Sequence, residues 1–323
     1  MISCGMLSDW GPSLGLDAAV VALAVILDRF LPEPPARLHP VVGMGWAAAL
    51  LVSRRPQGPA GAFVLGGVVV AVVVGFSVAL AWLAMAALAG LGPVAHLLGG
   101  AVLLRTTFTV RGLAGAAGRT RGALAGDRLD DARASLESLV SRDASTLARP
   151  LVAAAAIESV AENTTDSYVG PWLAFALLGV PGAVGYRAVN TLDSVLGFRG
   201  PNEHLGKAAA RLDDIVNLIP ARLSALLLLA GGATMRLPLS RGWRGMLRDR
   251  RLTASPNAGW TMGAAAGLLG AELEKPGHYI LGRGLRQPDA ADIGLAIRLA
   301  ERTAALGVLV SLGVLAARHA ITG

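Results

Sequence analysis

Residues 56–104 read PQGPAGAFVLGGVVVAVVVGFSVALAWLAMAALAGLGPVAHLLGGAVLL, with no Asp, Glu, Lys or Arg and with His96 as the sole titratable side chain. One helical crossing of a bilayer takes about 20 apolar residues. These positions therefore hold two crossings, near 60–82 and 84–104, and Gly90, Gly92 and Pro93 supply the turn residues for a hairpin. Upstream, Leu14 to Leu31 reads as a first, shortish membrane helix with Asp17 and Asp28 near its ends. Over the 323 residues, 54% are hydrophobic and 16% charged, and the mean hydropathy is +0.56. That is too apolar for an ordinary soluble domain. The expected fold class is an all-α, polytopic integral membrane protein, one membrane-embedded domain over 1–323 whose cytoplasmic helices and loops form the site.

Charge placement sets the expected orientation. Residues 1–13 carry no Lys or Arg, the segment 28–59 carries Arg29, Arg37, Arg54 and Arg55, and Arg105 opens a second basic stretch. Three crossings with the N-terminus outside put both basic stretches in the cytoplasm. Residues 105–167 read as cytoplasmic helices, with Asp127 a candidate N-cap and Pro150 fitting a first helical turn. Residues 168–189 and 215–235 are apolar but broken by Pro171, Gly179, Pro181 and Pro220, and are expected as re-entrant or protein-buried helices. The arginine-rich stretch 236–251 is expected in the cytoplasm. Ser255 is expected to cap a helix with Pro256 at its first position. PGHYILGRG at 276–284 reads as a polar loop, and 304–317 as a last apolar helix. The net charge is +7, but no Lys/Arg tract and only 5% aromatics accompany it, which argues against nucleic acid as a partner. Cys4 is the only cysteine, which excludes a disulfide framework and a cysteine zinc site. No basic n-region with a small-residue cleavage site opens the chain, so no removable signal peptide is expected.

Chemistry concentrates between Ile157 and Asn217, in IESVAENTTDSYVGP, AVNTLDSVLGFRG and ARLDDIVN. Glu158, Glu162 and Asp166 are four residues apart and share a face if the segment stays helical. Asn190 and Asp193, and then Asp213 and Asn217, again share faces, and Arg187, Arg199, Lys207, Arg211 and Arg222 are interleaved with them. Carboxylates suit Mg²⁺, and Arg and Lys suit phosphates. In apolar surroundings such charges are costly unless paired or bound to an ion; ordinary helix-surface ion pairs are the bland alternative. His39-Pro40 lies in the proline-rich PEPPARLHPVVGMG, where a structural role competes with ligand contact. Familiar nucleotide signatures fail. Gly206-Lys207 lacks the first glycine of a phosphate loop, position 201 being proline, and position 208 is alanine rather than Ser or Thr. Neither a dinucleotide fingerprint nor a nucleophile elbow occurs.

ESVAENTTD, NTLDSVLGFR, ARLDD with NLIPARL, SPNAGW and the earlier HPVVGMG occur in this order at these separations. In this respect the chain resembles the adenosylcobinamide-phosphate synthase family of cobalamin biosynthesis, the CobD/CbiB proteins. The resemblance implies a multi-pass enzyme of the cell (inner or plasma) membrane with its site facing the cytoplasm. It would use ATP and Mg²⁺ to join adenosylcobyric acid to (R)-1-aminopropan-2-yl phosphate or a related amino-alcohol phosphate, through an acyl phosphate. Metal contacts would come from Glu158, Glu162 and Asp166, with Asp193 or Asp213 completing the set and Asp214 a candidate base. Phosphate and substrate contacts would come from Arg187, Asn190, Arg199, Lys207, Arg211, Arg222, Ser255, Asn257 and His39. Implied partners are the corrinoid, the amine phosphate, ATP and the lipid bilayer; a homo-oligomer, or association with other membrane enzymes of cobalamin assembly, stays open. The chain departs from the family pattern at Val195, Phe198, Leu205 and Glu274-Lys275, the last replacing a usually glycine-rich pair. Two alternatives stand beside this: a related membrane signalling protein that binds no nucleotide, and a prenyl-type transferase, whose paired D-x-x-x-D motifs are absent.

Overall fold

The computed structural model describes residues 13–35, 37, 39–52, 58–140, 142–197 and 203–322. In chain order its helices are α1 (Leu14–Phe30), α2 (Pro40–Leu51), α3 (Pro59–Gly90), α4 (Pro93–Arg105), α5 (Arg111–Ala125), α6 (Leu129–Leu136), α7 (Arg149–Thr164), a π-helical turn (Thr165–Val169), α8 (Gly170–Leu196), α9 (Glu203–Val216), α10 (Leu218–Thr234), α11 (Leu239–Asp249), α12 (Ala258–Leu269) and α13 (Ala290–Thr322). One antiparallel hairpin, β1 (Leu273–Lys275) with β2 (Tyr279–Leu281), pairs Lys275 with Tyr279. The fold is all-α and polytopic. Among the described residues, three stretches are long and apolar enough to cross a membrane: Pro59–Gly90, Arg149–Leu196 and Ala290–Thr322. The pair Glu203–Val216 and Leu218–Thr234, bent by 51°, makes a fourth if counted as one span. In the most apolar window of Arg149–Leu196, 61% of positions are buried inside the protein, against 28% in α3. That window of the first is thus largely internal, whereas α3 turns Val64, Val68, Phe76 and Leu83 outward, as a lipid-facing helix does.

The chain divides into two compact units. One comprises residues 1–108, 171–213 and 308–323. Here Gly90 and Pro93 bracket the break between α3 and α4, the position at which the sequence calls for a hairpin. The expected second crossing at 84–104 does not form, because α3 absorbs the residues up to Gly90 and leaves α4 with only 13. The proline-rich segment runs directly into α2 at HPVVGMG. Pro40 takes the first turn of α2, and His39 caps it, its Nδ1 accepting from the Val41 N–H at 3.3 Å. Arg105 at the end of α4 donates to the carbonyls of Leu31 (3.0 Å) and Pro32 (2.8 Å), satisfying backbone left open after α1. Buried Asp17 pairs with Arg318, and His319 Nε2 lies 3.1 Å from the same carboxylate. Within α8, Gly179 (φ 67°, ψ −164°) leaves helical geometry just before Pro181, the break expected from that Gly and Pro.

The other unit comprises residues 109–170 and 214–307. Its α7 starts at Arg149 with Pro150 in the first turn and carries an unbroken alanine run, Ala153 to Ala156, fully inside. Tyr168 in the π-helical turn is buried and donates to the Ala300 carbonyl at 3.0 Å. Helices α11 and α12 meet along glycines: a Cβ on Gly267 would lie 2.4 Å from the Arg241 carbonyl oxygen, and one on Gly245 2.7 Å from that of Gly263. Over this seam Leu228, Leu229, Met246, Leu268 and Leu299 form the core.

Three local expectations are corrected here. Asp127 does not cap α6; it takes a positive φ of 60° and pairs with Arg149, while α6 begins after Arg128 without a side-chain cap. The 276–284 loop contains strand β2. The final helix is Ala290–Thr322 rather than 304–317, because Arg298, Glu301 and Arg302 ride its outer face while Ile293, Ala296, Leu299, Ala300 and Thr303 fill the inner one.

Candidate functional site

Two polar constellations form within the second unit. The first lies where α7 meets the β-hairpin. Glu158 is buried and receives a 2.9 Å bond from Arg142 Nη2. Arg142 follows α6 by a few residues, which lets a surface segment deliver a guanidinium to the middle of α7. Arg142, Glu158, Ser159, Glu162, Lys275 and Tyr279 line a half-open cavity of about 130 Å³. The Tyr279 phenol is pushed well above its usual range, by burial first and then by the charges of Glu158 and Glu162, so it stays a proton-bearing donor. Its hydroxyl meets only the Met262 sulfur, at 3.9 Å, a weak acceptor.

A buried Arg–carboxylate pair is commonly two-pronged. This one is not. Arg142 Nε and Nη1 and Glu158 Oε1 are buried and make no hydrogen bond among the described residues. Leaving such groups unmet costs about 1–3 kcal/mol each, more when charged, so the constellation has unfilled bonding capacity. Nearby, Asn163 and Ser167 form a local ladder in which Asn163 Nδ2 donates to the Ser159 carbonyl at 2.9 Å and Ser167 to Asn163 Oδ1 at 3.2 Å.

The second constellation joins α9 to the start of α12. Ser255 donates to Asp214 Oδ1 at 3.0 Å, and Asn257 Nδ2 to the Asp214 carbonyl at 2.8 Å. Arg222 donates to Asn257 Oδ1 and lies 4.9 Å from the centre of the Trp260 ring, which Arg250 also approaches, at 5.3 Å. Ser255 is therefore not the cap of α12: the helix begins at Ala258 with Asn257 before it, and the Ser255 hydroxyl accepts from the Asn257 N–H at 3.2 Å. The competing partner is Asp214, an acceptor the local sequence does not reveal.

The remaining expected residues are placed as follows. Glu162 and Asp166 are half-buried, Asp166 in the π-helical turn. Among the described residues no group of three or more His, Cys, Asp or Glu side chains is placed to hold a metal ion. Glu158 is taken up by Arg142, and Asp166 lines no part of the Glu158–Glu162 cavity, so the donors for a resident metal do not gather there. In the first unit, Arg187 Nη1 lies 3.4 Å from Asn190 Oδ1. The Arg187 and Arg105 charges both act on His39, whose pKa is lowered by its burial first and then by these arginines, against Glu33. Asp193 and Asp213 are half-buried, and Lys207 and Arg211 stand exposed one turn apart on α9. Arg199 lies outside the described residues. Arg142, Lys275 and Tyr279 were not among the expected site residues. Their sequence signal is faint: one is an Arg-Asp step before a helix, the others ends of strands of three residues.

Comparison with known proteins now settles the ancestry. The family model described as CobD/Cbib protein matches residues 21–307. The chain belongs to the CobD/Cbib family. It is 41% identical over 297 residues to the "Cobalamin biosynthesis protein CobD" of Dehalococcoides mccartyi, covering 92% of this chain and 96% of that one. It is 39% identical over 308 residues to the "Probable cobalamin biosynthesis protein CobD" of Methanothermobacter thermautotrophicus, covering 93% and 98%, and 38% identical over 275 residues to the "Cobalamin biosynthesis protein CobD" of Geobacter metallireducens, covering 85% and 86%. No solved structure shows a significant match. ESVAENTTD supplies the α7 wall of the cavity and SPNAGW the Ser255–Asn257 lock on Asp214, so motifs that carry the CobD/Cbib resemblance also build both constellations.

Proposed function

We propose that this chain is an ATP-dependent carboxylate–amine ligase, joining adenosylcobyric acid to (R)-1-aminopropan-2-yl phosphate or a close relative and yielding adenosylcobinamide phosphate. The observation that carries the proposal is the end-to-end correspondence with relatives named for cobalamin biosynthesis, 92% of this chain against 96% of the first. A carboxylate does not acylate an amine unaided, because an oxide-like oxygen is a poor leaving group. ATP supplies a better one. The propionate oxygen attacks the γ-phosphorus, the bond to ADP breaks, and an acyl phosphate forms. The amine nitrogen then attacks the acyl carbon, phosphate departs with the bonding electrons, and the proton lost from nitrogen goes to a base.

Mg²⁺ arrives with ATP as part of that substrate and neutralises charge on the moving phosphoryl group. This fits a chain whose described carboxylates form no closed cage, since Mg²⁺ is commonly held by one or two carboxylates plus substrate phosphates. Asp214, fixed by Ser255 and through its carbonyl by Asn257, is a positioned base. In the second unit Arg222 offers a cation for phosphate oxygens; in the first, Arg187, Lys207 and Arg211 do, with Asn190 Oδ1 3.4 Å from Arg187. The site faces the cytoplasm on this proposal, where ATP is found.

The test is the purified protein in detergent with adenosylcobyric acid, Mg-ATP and each candidate amine phosphate, read by product mass. A new mass equal to the two substrates less water, formed only with ATP, is expected. ATP binding and amide formation both absent, in protein that remains folded, would leave a non-ligase relative as the better reading.

A further inference from the structure

The cavity between α7 and the β-hairpin has walls of balanced charge. Arg142 and Lys275 are positive, Glu158 and Glu162 negative, and Ser159 and Tyr279 offer hydroxyls. A bare anion entering it would meet two carboxylates, and a bare cation two positive heads. A small ion with opposite charges at its two ends satisfies all four. Arg142 and Glu158 do not fully satisfy one another, since Glu158 Oε1 and Arg142 Nε and Nη1 are buried without a hydrogen-bond partner among the described residues. The volume, about 130 Å³, equals roughly four waters at about 30 Å³ each, far too little for a nucleotide or a corrin ring.

We infer that this cavity binds the amine donor, a small aminoalkyl phosphate, with its ammonium end toward Glu158 and Glu162 and its phosphate end toward Arg142 and Lys275. The inference rests on the ligase reading for the choice of phosphate as the anionic end. The call for opposite charges at the two ends comes from the cavity itself. Glu158 supplies the buried acceptor for the ammonium, and the open nitrogens of Arg142 supply charge-assisted donors for phosphate. Lys275, half-buried at the end of β1, closes the mouth with a compact point charge.

Binding is measured on the full-length protein in detergent by calorimetry, without ATP or corrinoid, so that the outcome does not depend on ligation. The probes are (R)-1-aminopropan-2-yl phosphate, 2-aminoethyl phosphate, propan-2-yl phosphate and 1-aminopropan-2-ol. The first two are expected to bind, and the last two, each lacking one charged end, at least about tenfold more weakly, the loss expected for a missing charge-assisted contact. Lys275→Gln, on the hairpin and outside the α7 core, should weaken the first probe about tenfold while the melting temperature is kept; Glu158→Gln tests the ammonium end. Equal binding of propan-2-yl phosphate overturns the inference, as does a Lys275→Gln protein of unchanged affinity. If the protein ligates yet Lys275→Gln leaves the KM for the amine unaltered, the donor sits elsewhere and the ligase reading stands. If the aminoalkyl phosphates bind as expected but no amide forms, the subsite stands and the ligase reading fails.

Discussion

Substituting Gly267 by alanine tests the seam on which the second unit is built. The new Cβ would lie 2.4 Å from the Arg241 carbonyl oxygen, 2.8 Å from Gly242 Cα and 2.9 Å from the Arg241 carbonyl carbon. All three are backbone, so no rotamer can relieve the clash. Ordinary contact begins at 3.4 Å, and α11 must therefore retreat from α12 by about 1 Å. Overpacking of this kind costs about 1–3 kcal/mol. The same retreat stretches the 2.7 Å bond from Arg241 Nε to the Gly267 carbonyl, worth about 1.5–3 kcal/mol for a charged donor. Replacing glycine in a helix returns about 1 kcal/mol. The net loss is about 1.5–5 kcal/mol, a fall in melting temperature on the order of 3–20 °C. Thermal unfolding of the detergent-solubilised protein reads it directly. Gly115→Ala is the control, since a Cβ there meets nothing within 4 Å and α5 is helical around it; it should raise the melting temperature by a few degrees through propensity alone. If Gly267→Ala also raised it, the close approach of α11 and α12 would be refuted.

Two further outcomes follow from single side chains. His39 caps α2 through an unprotonated Nδ1, and burial with Arg187 and Arg105 lowers its pKa from 6.5. Between the folded and unfolded values the unfolded chain binds more protons, so the contribution of His39 is complete above about pH 6.5 and is lost as pH falls through the lowered value. His39→Asn keeps a cap acceptor that does not titrate, and its melting temperature should fall less than the parent's between pH 7 and pH 5; an identical fall would refute the assignment. Asp249 accepts from the buried Gly282 N–H at 2.7 Å and pairs with Arg248 at 2.7 and 3.0 Å. Asp249→Ala should cost about 1–3 kcal/mol and speed amide exchange at Gly282 before any change in α12; equal protection of Gly282 would show that the bond is not made.

Much of the architecture was written in local pattern. The uncharged run from 56 to 104, the glycines and proline at 90–93 and Pro150 each act on their own neighbours: the break at 90–93 and the first turn of α7 form as read, while the run itself divides into one helix of 32 residues and one of 13 rather than two equal crossings. What misled was competition. Four-residue spacing put Glu158, Glu162 and Asp166 on one face, but spacing says nothing about which cation claims which carboxylate. Arg142, 16 residues before Glu158, claims that carboxylate only after folding, and Lys275, on a strand of three residues, joins the same cavity. Likewise Ser255 has the composition of a helix cap, and Asp214, 41 residues away, takes its hydroxyl instead. The last helix reads as 304–317 because Arg298, Glu301 and Arg302 interrupt the apolar pattern before it, when they merely decorate the exposed side of a longer helix.

The hairpin that carries Lys275 and Tyr279 is held at its base and free at its tip. Gly282 is anchored to Asp249, the Glu272 amide to the Arg286 carbonyl at 2.8 Å, and Glu272 Oε2 to the Gly284 amide at 2.7 Å, while Pro276, Gly277 and His278 stand exposed. One wall of the cavity thus belongs to a rigid alanine-packed rod and the other to an interchangeable finger. Changes of length or charge at that fingertip leave the rod's packing untouched, so the charge that faces the cavity can be altered without rebuilding the protein.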